Sequence, residues 1–492
     1  METIIEKKHR PFGKRDLWAY AMGDFGCNMS FALKNTITIF YTLYIGLSAE
    51  TVALIILLLN IWDGINDPIV GAIMDRKKPG KYGKFKPFVM WGSLALVFSG
   101  AMVFLPIPKA DPAVKIIVCI LGYLIWDMAY TVVNVPYGSM ASVITDDPVE
   151  RAGLSKFRTI GSMLAQLPIM VGLPFVIYRD RLDEAGNIVK DPVTGEKIQD
   201  LLGFNVFLVA LILGFVGLLA FYIFLKNTVE RVEAKAQDKP KEKVSYLGVL
   251  KSFFSNRAAI GVTFASIFSL VMMQGLGTAN AVLFKDYFKN AELSGIIQMI
   301  SFLPGIAGIF VCDPLVRRYG KKAVAGLPFI LGIIGGFLMM VVKVPANTIG
   351  LVIWIALQML VSVSFGMFTV LCWAMVSDCI DYQEVRTGRR EEGTVYAIYS
   401  LGRKVAQGLG AAVVLLFMGW LGFVSAENGI TPTQTPVVAN RIRILIGAVQ
   451  FVCCLGQFVF LTFVYNLDKK KVQEIQEKLG RVNNNYTINL ED

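Results

Sequence analysis

The chain has 492 residues, of which 55% are hydrophobic and 17% are charged, and its formal net charge is +11. Apolar runs of about 20 residues recur along it, and each is long enough to cross roughly 30 Å of hydrocarbon. The composition therefore predicts a polytopic membrane protein. The basic residues are dispersed over the loops, which excludes a soluble basic domain of the kind that binds nucleic acid.

The first 17 residues, METIIEKKHRPFGKRDL, are polar and lack the apolar core of a cleavable signal peptide. Twelve apolar runs follow, which we number as spans one to twelve. The first six lie at 18–46, 50–75, 87–108, 113–143, 156–178 and 203–226. The other six lie at 258–286, 291–314, 323–343, 348–380, 393–423 and 442–466. The positive-inside rule then predicts a plasma (inner) membrane protein with both termini in the cytoplasm.

Two hydrophilic stretches divide this pattern. The charged segment VERVEAKAQDKPKEKVSY follows span six and reads as a cytoplasmic linker between two halves. The longest external loop, residues 178–200, carries the turn signals DEAG and VTGE, which predict a hairpin. The expected parts are an N-terminal arm, a six-helix bundle, the linker, a second six-helix bundle and a cytoplasmic tail, at 1–17, 18–226, 227–257, 258–466 and 467–492.

The two halves resemble each other. MASVITDDPVER, which begins at Met140, matches MVSDCIDYQEVR, which begins at Met375, and the Asp-Pro at Asp67 matches the one at Asp313. An internal duplication of six spans predicts an all-α fold of twelve helices in two pseudo-symmetric bundles, with a binding site between them near the midplane.

Span two contains the stretch IWDGINDP, in which Asp63 and Asp67 are one helical turn apart on one face and Asn66 lies beside them. An ionisable side chain inside a membrane costs ~3 kcal/mol or more, so each one needs a partner or a cavity. Two neighbouring carboxylates repel each other, and a bound cation or a shared proton would relieve the repulsion. The alternative is that both acids are permanent ion-pair partners of Arg403 and Lys404 in span eleven.

Other polar residues also lie inside apolar spans. Span one carries Asp24 and Asn28, and span five begins near Arg158. Span four carries a stripe at i, i+4 and i+7, formed by Asp127, Thr131 and Asn134. Two tryptophans, Trp126 and Trp373, are candidates to stack on a sugar ring, although membrane aromatics are more often packing residues.

The remaining residue types exclude several chemistries. The seven cysteines lie within spans and form no CxxC pair, so buried free thiols are expected. The single histidine, His9, lies in the N-terminal arm, so neither a usual zinc site nor a Ser/His/Asp set can be assembled. We therefore expect no enzyme activity and no cofactor other than a coupling cation.

Several motifs occur in order along nearly the whole chain: IWDGINDP, KYGKFKPF, NVPYGSM, DYQEVRTGRREEGTVYA and the RK of span eleven. They resemble those of the glycoside-pentoside-hexuronide:cation symporters, the branch of the major facilitator superfamily typified by melibiose permease. The resemblance implies a cation site at Asp63, Asn66, Asp67 and Thr131, with Lys404 nearby, and a sugar contact at Arg158.

The sequence departs from that pattern where the family's type member grips its galactoside. The two acids of that site correspond to Asn28 and Asn134, and a nearby aromatic residue corresponds to Gly138. The sugar site is therefore expected to differ. The expected substrate-binding residues are Asp24, Asn28, Asp127, Asn134, Arg158, Trp126 and Trp373, with Arg403 and Lys404 in a coupling role.

Charged residues also alternate at the cytoplasmic end of span ten and at the matching place of the first half. We expect them to act as a gate that pairs and separates during transport. The gating residues are Arg151, Asp381, Glu384, Arg386 and Arg389.

The predicted function is Na+- or H+-coupled symport of a sugar or glycoside by alternating access, in the bilayer and as a monomer. One alternative is an H+-coupled carrier of hexuronides or other acidic sugars, since Arg158 and Arg403 add positive charge. The other is a lipid carrier on the same fold, although such a carrier should have an apolar cavity rather than one lined by acids, amides and arginine.

Overall fold

A computed structural model of the protein describes residues 10–76, 80, 82–145, 148–190, 197–231, 254–388, 392–427 and 430–479. These residues are mostly α-helical. A helix bonds every backbone N–H and C=O within its own segment, which hydrocarbon requires because it offers no water as a partner.

The helices of the first half follow the predicted spans closely. They are Lys14–Phe31 (α1), Lys34–Phe40 (α2), Ala49–Arg76 (α3), Lys86–Val103 (α4), Pro112–Ser139 (α5), Ala141–Ile144 (α6), Pro148–Ile177 (α7) and Gly203–Asn227 (α8). A π-helical turn, Tyr41–Ile45, extends α2.

The helices of the second half do the same. They are Arg257–Val282 (α9), Ser294–Tyr319 (α10), Lys321–Gly326 (α11), Phe329–Val341 (α12), Thr348–Thr387 (α13), Glu392–Trp420 (α14), Pro436–Val459 (α15) and Lys469–Lys478 (α16). Further π-helical turns, Leu283–Tyr287 and Phe460–Val464, extend α9 and α15.

In the described part of the chain, eleven helices are long and apolar enough to cross a membrane. The remaining predicted span, 18–46, is divided into α1, α2 and the first π-helical turn. The reason lies in the sequence, because α1 has 18 residues and carries Asp16 and Asp24, and Lys34 opens α2. These charges lower the hydropathy of a segment that is otherwise placed as expected.

Helix ends coincide with local signals. The Asp111 side chain accepts a hydrogen bond from the Ala113 N–H at the start of α5, and Asn347 does the same for Gly350 at the start of α13. The C-terminal end of α13 is closed by Gly388, whose φ of 70° lies in the left-handed region that glycine adopts without strain.

The loop between α7 and α8 contains an antiparallel strand pair, as the predicted hairpin requires, while the predicted VTGE turn lies outside the described residues. Strand β1 (Tyr178–Asp180) pairs antiparallel with β2 (Gln199–Leu201), so that Arg179 lies opposite Asp200. Nearby, the Asp183 carboxylate accepts hydrogen bonds from the backbone N–H groups of Asn187 and Ala185, which lower the pKa of that exposed carboxyl.

The chain divides into two compact units. The first comprises Met1–Ser48, Ile61–Lys239 and Ser425–Pro432, and the second comprises Ala49–Asn60, Pro240–Val424 and Thr433–Asp492. In the first unit α1 packs on α7 and α8, and α4 packs on α5 and α8. In the second unit α9 packs on α14 and α15, α10 on α13, and α12 on α13 and α15.

Small residues let the helices of each unit approach closely. A Cβ atom on Gly161 of α7 would lie 2.1 Å from the carbonyl oxygen of Ala21 in α1. In the second unit, a Cβ on Gly366 of α13 would lie 2.3 Å from the carbonyl oxygen of Gly305 in α10. Membrane helices associate largely through such close contacts, since lipid gives them no hydrophobic drive to pair.

We predict that Gly161→Ala destabilises the protein by ~1–3 kcal/mol, because the new methyl group forces α1 away from α7. Gly172→Ala on the same helix is the matched control, since a Cβ there meets no atom within 4 Å. Thermal unfolding of both variants in detergent measures the difference. Equal midpoints for the two variants would show that the α1–α7 contact does not depend on Gly161.

Candidate functional site

An ion pair joins α1 to α7 within the first unit. Arg158 Nε lies 3.0 Å from Asp24 Oδ1, and the guanidinium lies over the ring of Tyr137 at 5.4 Å. The Asp24 side chain is 7% exposed and that of Arg158 is 43% exposed. The carboxylate is therefore buried with its counter-ion, while the guanidinium keeps an open side next to Gly138, where a Cβ would lie 3.8 Å from Arg158 Nη1.

Polar side chains continue from this pair along the two helices. Asn28 Nδ2 donates to Asp24 Oδ2 at 2.9 Å, and Gln166 Nε2 donates to Asn28 Oδ1 at 2.7 Å. Gln166 Nε2 also lies 2.8 Å from Ser162 Oγ. The result is a chain of donors and acceptors that satisfies the buried carboxylate and ends at the exposed Gln166 amide and the half-buried Ser162 hydroxyl.

Two of the four predicted cation residues, Asp67 of α3 and Thr131 of α5, are in contact. The Thr131 hydroxyl donates to Asp67 Oδ1 at 3.1 Å, which brings a span-four side chain to the acidic face of span two. Asn66 is buried, and its Nδ2 has no hydrogen-bond partner among the residues that the structure describes. A carboxylate and a hydroxyl are therefore in contact, and the preceding residue of α3 carries a buried amide whose nitrogen lacks a hydrogen-bond partner among the described residues.

This set differs from a transition-metal site. Within the described ranges, no three His, Cys, Asp or Glu side chains are grouped so as to hold a metal ion. An ion here would rely on mixed oxygen ligands from Asp63, Asp67, Asn66 and Thr131. Hard cations accept such ligands, since carboxylate, amide and hydroxyl oxygens all serve them.

The other span-four residues differ in exposure. Trp126 is 3% exposed, and its indole N–H donates to Ser30 Oγ at 2.7 Å. Asp127 is buried and Asn134 is half-buried on the same helix. In this conformation the Trp126 side chain is buried and hydrogen-bonded to Ser30 of α1. Its predicted contact with a sugar ring would require this hydrogen bond to break.

Span eleven places an arginine on an aromatic platform in the second unit. The Arg403 guanidinium lies 5.3 Å from the ring centre of Trp373, and its Nη1 donates to the Tyr399 hydroxyl at 3.2 Å. Tyr399 is in turn held by Ser266 at 2.9 Å. Trp373 is 45% exposed, so one part of this platform is open. The described residues place no carboxylate within ion-pair distance of Arg403.

The residues predicted for gating are only partly described. Arg386 donates to the carbonyl oxygen of Ser255, and Asp381 and Glu384 are half-buried near the end of α13. The side chain of Arg151 and the whole of Arg389 lie outside the described residues. The gating role therefore stays a prediction, as does the coupling role of Lys404, which is half-buried next to Arg403.

Four contributors were missed by the sequence reasoning: Ser162, Gln166, Tyr137 and Tyr399. A signal existed for three of them. Arg158, Ser162 and Gln166 lie at i, i+4 and i+8 and so form a polar stripe on an apolar helix. Tyr399 similarly precedes Arg403 by one turn. Tyr137 gave no signal, since a tyrosine in a membrane helix is common.

Paired and hydrogen-bonded charges inside long apolar helices are typical of membrane transport proteins. Residues 19–469 of the chain match the family described as MFS/sugar transport protein, and the chain belongs to that family. The predicted class, a transporter rather than an enzyme, is confirmed, as is the location in a membrane.

Related proteins match this chain over almost its full length. The uncharacterized symporter YjmB of Bacillus subtilis (strain 168) is 28% identical, over 97% of each chain. The glucuronide carrier protein homolog of Escherichia coli (strain K12) is 27% identical, over 94% of each chain. The isoprimeverose transporter of Lactiplantibacillus pentosus is 26% identical, over 98% of this chain and 95% of its own. The predicted glycoside-pentoside-hexuronide:cation symporter membership is confirmed.

Solved structures share the fold at low identity. The nucleoside transporter NupG matches with a TM-score of 0.60 at 12% identity, over 92% of this chain and all of its own. The D-xylose-proton symporter matches with a TM-score of 0.56 at 13% identity, over 92% and 98%. The predicted major facilitator fold is confirmed.

Proposed function

We propose that the protein couples the entry of a cation to the uptake of a sugar or glycoside, by alternating access. The observation that carries the proposal is the contact of Thr131 with Asp67 beside buried Asn66, because it assembles three kinds of oxygen-bearing side chain inside a membrane. A cation bound to Asp63, Asn66, Asp67 and Thr131 would stabilise one conformation of the transporter. A sugar that favours the same conformation would then be bound more tightly, and the effect is reciprocal.

Sugar recognition is assigned to the polar chain on α1 and α7. A sugar presents hydroxyl groups that both donate and accept, and the open side of Arg158 together with Gln166 and Ser162 offers matching groups. Asp24 and Asn28 lie on the side away from the sugar and hold Arg158 and Gln166 in position. We further assign Asp127, Asn134 and Trp373 to the substrate, and Arg403 and Lys404 to coupling.

Sodium is the favoured coupling ion. A hydroxyl and an amide oxygen are useful ligands for a hard metal ion and add little to a carboxyl that is simply protonated. The Asn66 amide can turn about its own axis to present oxygen where its unpartnered nitrogen now lies. Proton coupling would need only Asp63 and Asp67.

An acidic sugar is the second candidate substrate. Arg403 lies on Trp373 with no carboxylate partner among the described side chains, so an anionic substrate group would find a cation there. One relative is named as a glucuronide carrier homolog. A neutral glycoside such as isoprimeverose and a glucuronide are therefore the two sugars to compare.

We also propose a monomer in the plasma membrane with both termini in the cytoplasm, which the distribution of Lys and Arg supports. Lys190, in the loop between α7 and α8, is exposed. A cysteine at this position should react with an impermeant label added outside the cell, and reaction only from the cytoplasm would reverse the orientation.

The cation assignment is tested by sugar uptake against sodium concentration at fixed pH and clamped membrane potential. Thr131→Ala should raise the sodium concentration for half-maximal uptake by ~10-fold or more, as losing a group at a metal site does. Thr131→Ser, which keeps the hydroxyl, is the matched control. Asp67→Asn should abolish stimulation by sodium while leaving weak sugar binding.

The sugar assignment is tested in the same assay. Gln166→Leu removes two hydrogen bonds and should raise the sugar KM by ~2–10-fold without changing the sodium dependence. The Thr131 and Asp67 variants are expected to change the sodium dependence and Gln166→Leu is not, so each set serves as a control for the other. Full sugar accumulation in an Asp63→Cys/Asp67→Cys double variant would show that the acids are structural and would overturn the proposed coupling site.

A further inference from the structure

A cavity lies in the second unit, apart from the residues assigned to transport. It forms where the C-terminal end of α10, the short helix α11 and the segment leading into α16 meet, and its volume is about 180 Å³. That is more than ten times the ~10–15 Å³ that one water molecule needs. Its lining includes Tyr319, Lys322, Leu327, Thr462, Asp468 and Lys469.

The cavity is positively charged. Lys322 lines it and has no hydrogen-bond or ion-pair partner in the described parts of the chain, while Arg257 and Lys471 lie close enough to repel its ammonium group. One carboxylate, Asp468, belongs to the lining, and its Oδ1 already accepts the Lys471 backbone N–H at 2.9 Å. Asp468 also attracts the Lys322 ammonium group, but it is one carboxylate against Lys322, Lys469, Arg257 and Lys471, so the cluster has more cations than anions.

The cations are held in place by the fold. Lys469 Nζ donates to the Arg317 carbonyl at 2.7 Å, and Arg257 Nη2 donates to the Phe463 carbonyl at 2.6 Å. Helix α16 is docked on α13 through Ile475, which is buried. Gly320 allows the close approach, because its φ is 83° and a Cβ there would lie 2.9 Å from Lys469 Cβ. The site is thus already formed.

Large apolar side chains border the charged cavity. Tyr319 and Leu327, which line it, are each more than half exposed, and so is Phe463, which follows the lining residue Thr462 in the chain. In a protein embedded in a bilayer, such side chains face acyl chains, and tyrosine is enriched at the level of the headgroups. A ligand that combines an anionic group with hydrocarbon chains fits both parts of this surface.

We infer that the cavity binds the headgroup of an anionic phospholipid, with its phosphodiester on Lys322 and its acyl chains along Leu327 and Phe463. Basic pockets next to membrane helices recognise such lipids through charge and hydrogen bonds. Lys321 is not part of the site, because it is paired with Asp378 at 2.8 Å. The inference depends on the membrane location and not on which sugar or cation is transported.

The test uses the full-length protein in detergent, without sugar or sodium. Dioctanoyl phosphatidylglycerol and dioctanoyl phosphatidylcholine are titrated, and the rise in unfolding temperature gives the affinity for each lipid. Phosphatidylglycerol should bind more tightly. Lys322→Gln should weaken it about fivefold, as the loss of one basic residue near anionic lipid does, and leave phosphatidylcholine unchanged.

Two further variants serve as controls for Lys322→Gln. Lys478→Gln, on the last turn of the same α16, should bind phosphatidylglycerol like the unchanged protein, and Lys322→Arg should keep most of the affinity. Equal weakening by Lys322→Gln and Lys478→Gln, or none in either, would overturn the inference. Displacement of the lipid by an equal concentration of glycerol phosphate would also overturn it, in favour of a soluble organophosphate.

Discussion

The burial of charge in apolar surroundings is the constraint on which the structure depends. A charge within the bilayer is costly unless a partner is at hand, and Asp24 is buried in α1 with Arg158 of α7 at 3.0 Å. The two helices also pack closely against each other, which Gly161 permits. The polar residues around the pair, from Asn28 to Gln166, complete its hydrogen bonds. Packing and polarity in the first unit therefore depend on each other.

The same constraint separates the roles of the acids. The ion pair of Arg158 is with Asp24, so the positive charge of α7 is already engaged on α1. On α3, the Asp67 carboxylate accepts a hydrogen bond from the Thr131 hydroxyl, next to buried Asn66. In the proposed mechanism the acids of α3 bind the cation, whereas the Asp24–Arg158 pair, which is neutral as a whole, faces the hydroxylated substrate. One bundle can thus offer two sites of different chemistry.

Much of this could be predicted from the sequence. The apolar runs located the helices, and the i, i+4 spacing of Asp63 and Asp67 marked an acidic face. The contact of Thr131 with Asp67 joins different helices, and the family resemblance rather than spacing pointed to it. The division of the first span at Ala32 and Leu33 was not expected, because hydropathy is averaged over a window and does not register a local break between two helices. The hydrogen bond of Trp126 could not be predicted either, since its partner Ser30 lies 96 residues away in the chain.

The central claim is that cation and sugar binding are coupled, and thermal unfolding of the purified protein tests it most directly. The midpoint is measured with sodium alone, with each of the two test sugars alone, and with both ligands together. Linkage predicts that a sugar raises the midpoint more when sodium is present, and that sodium raises it more when the sugar is present. A sugar-induced shift of the same size with sodium and with an equal concentration of choline would contradict the account.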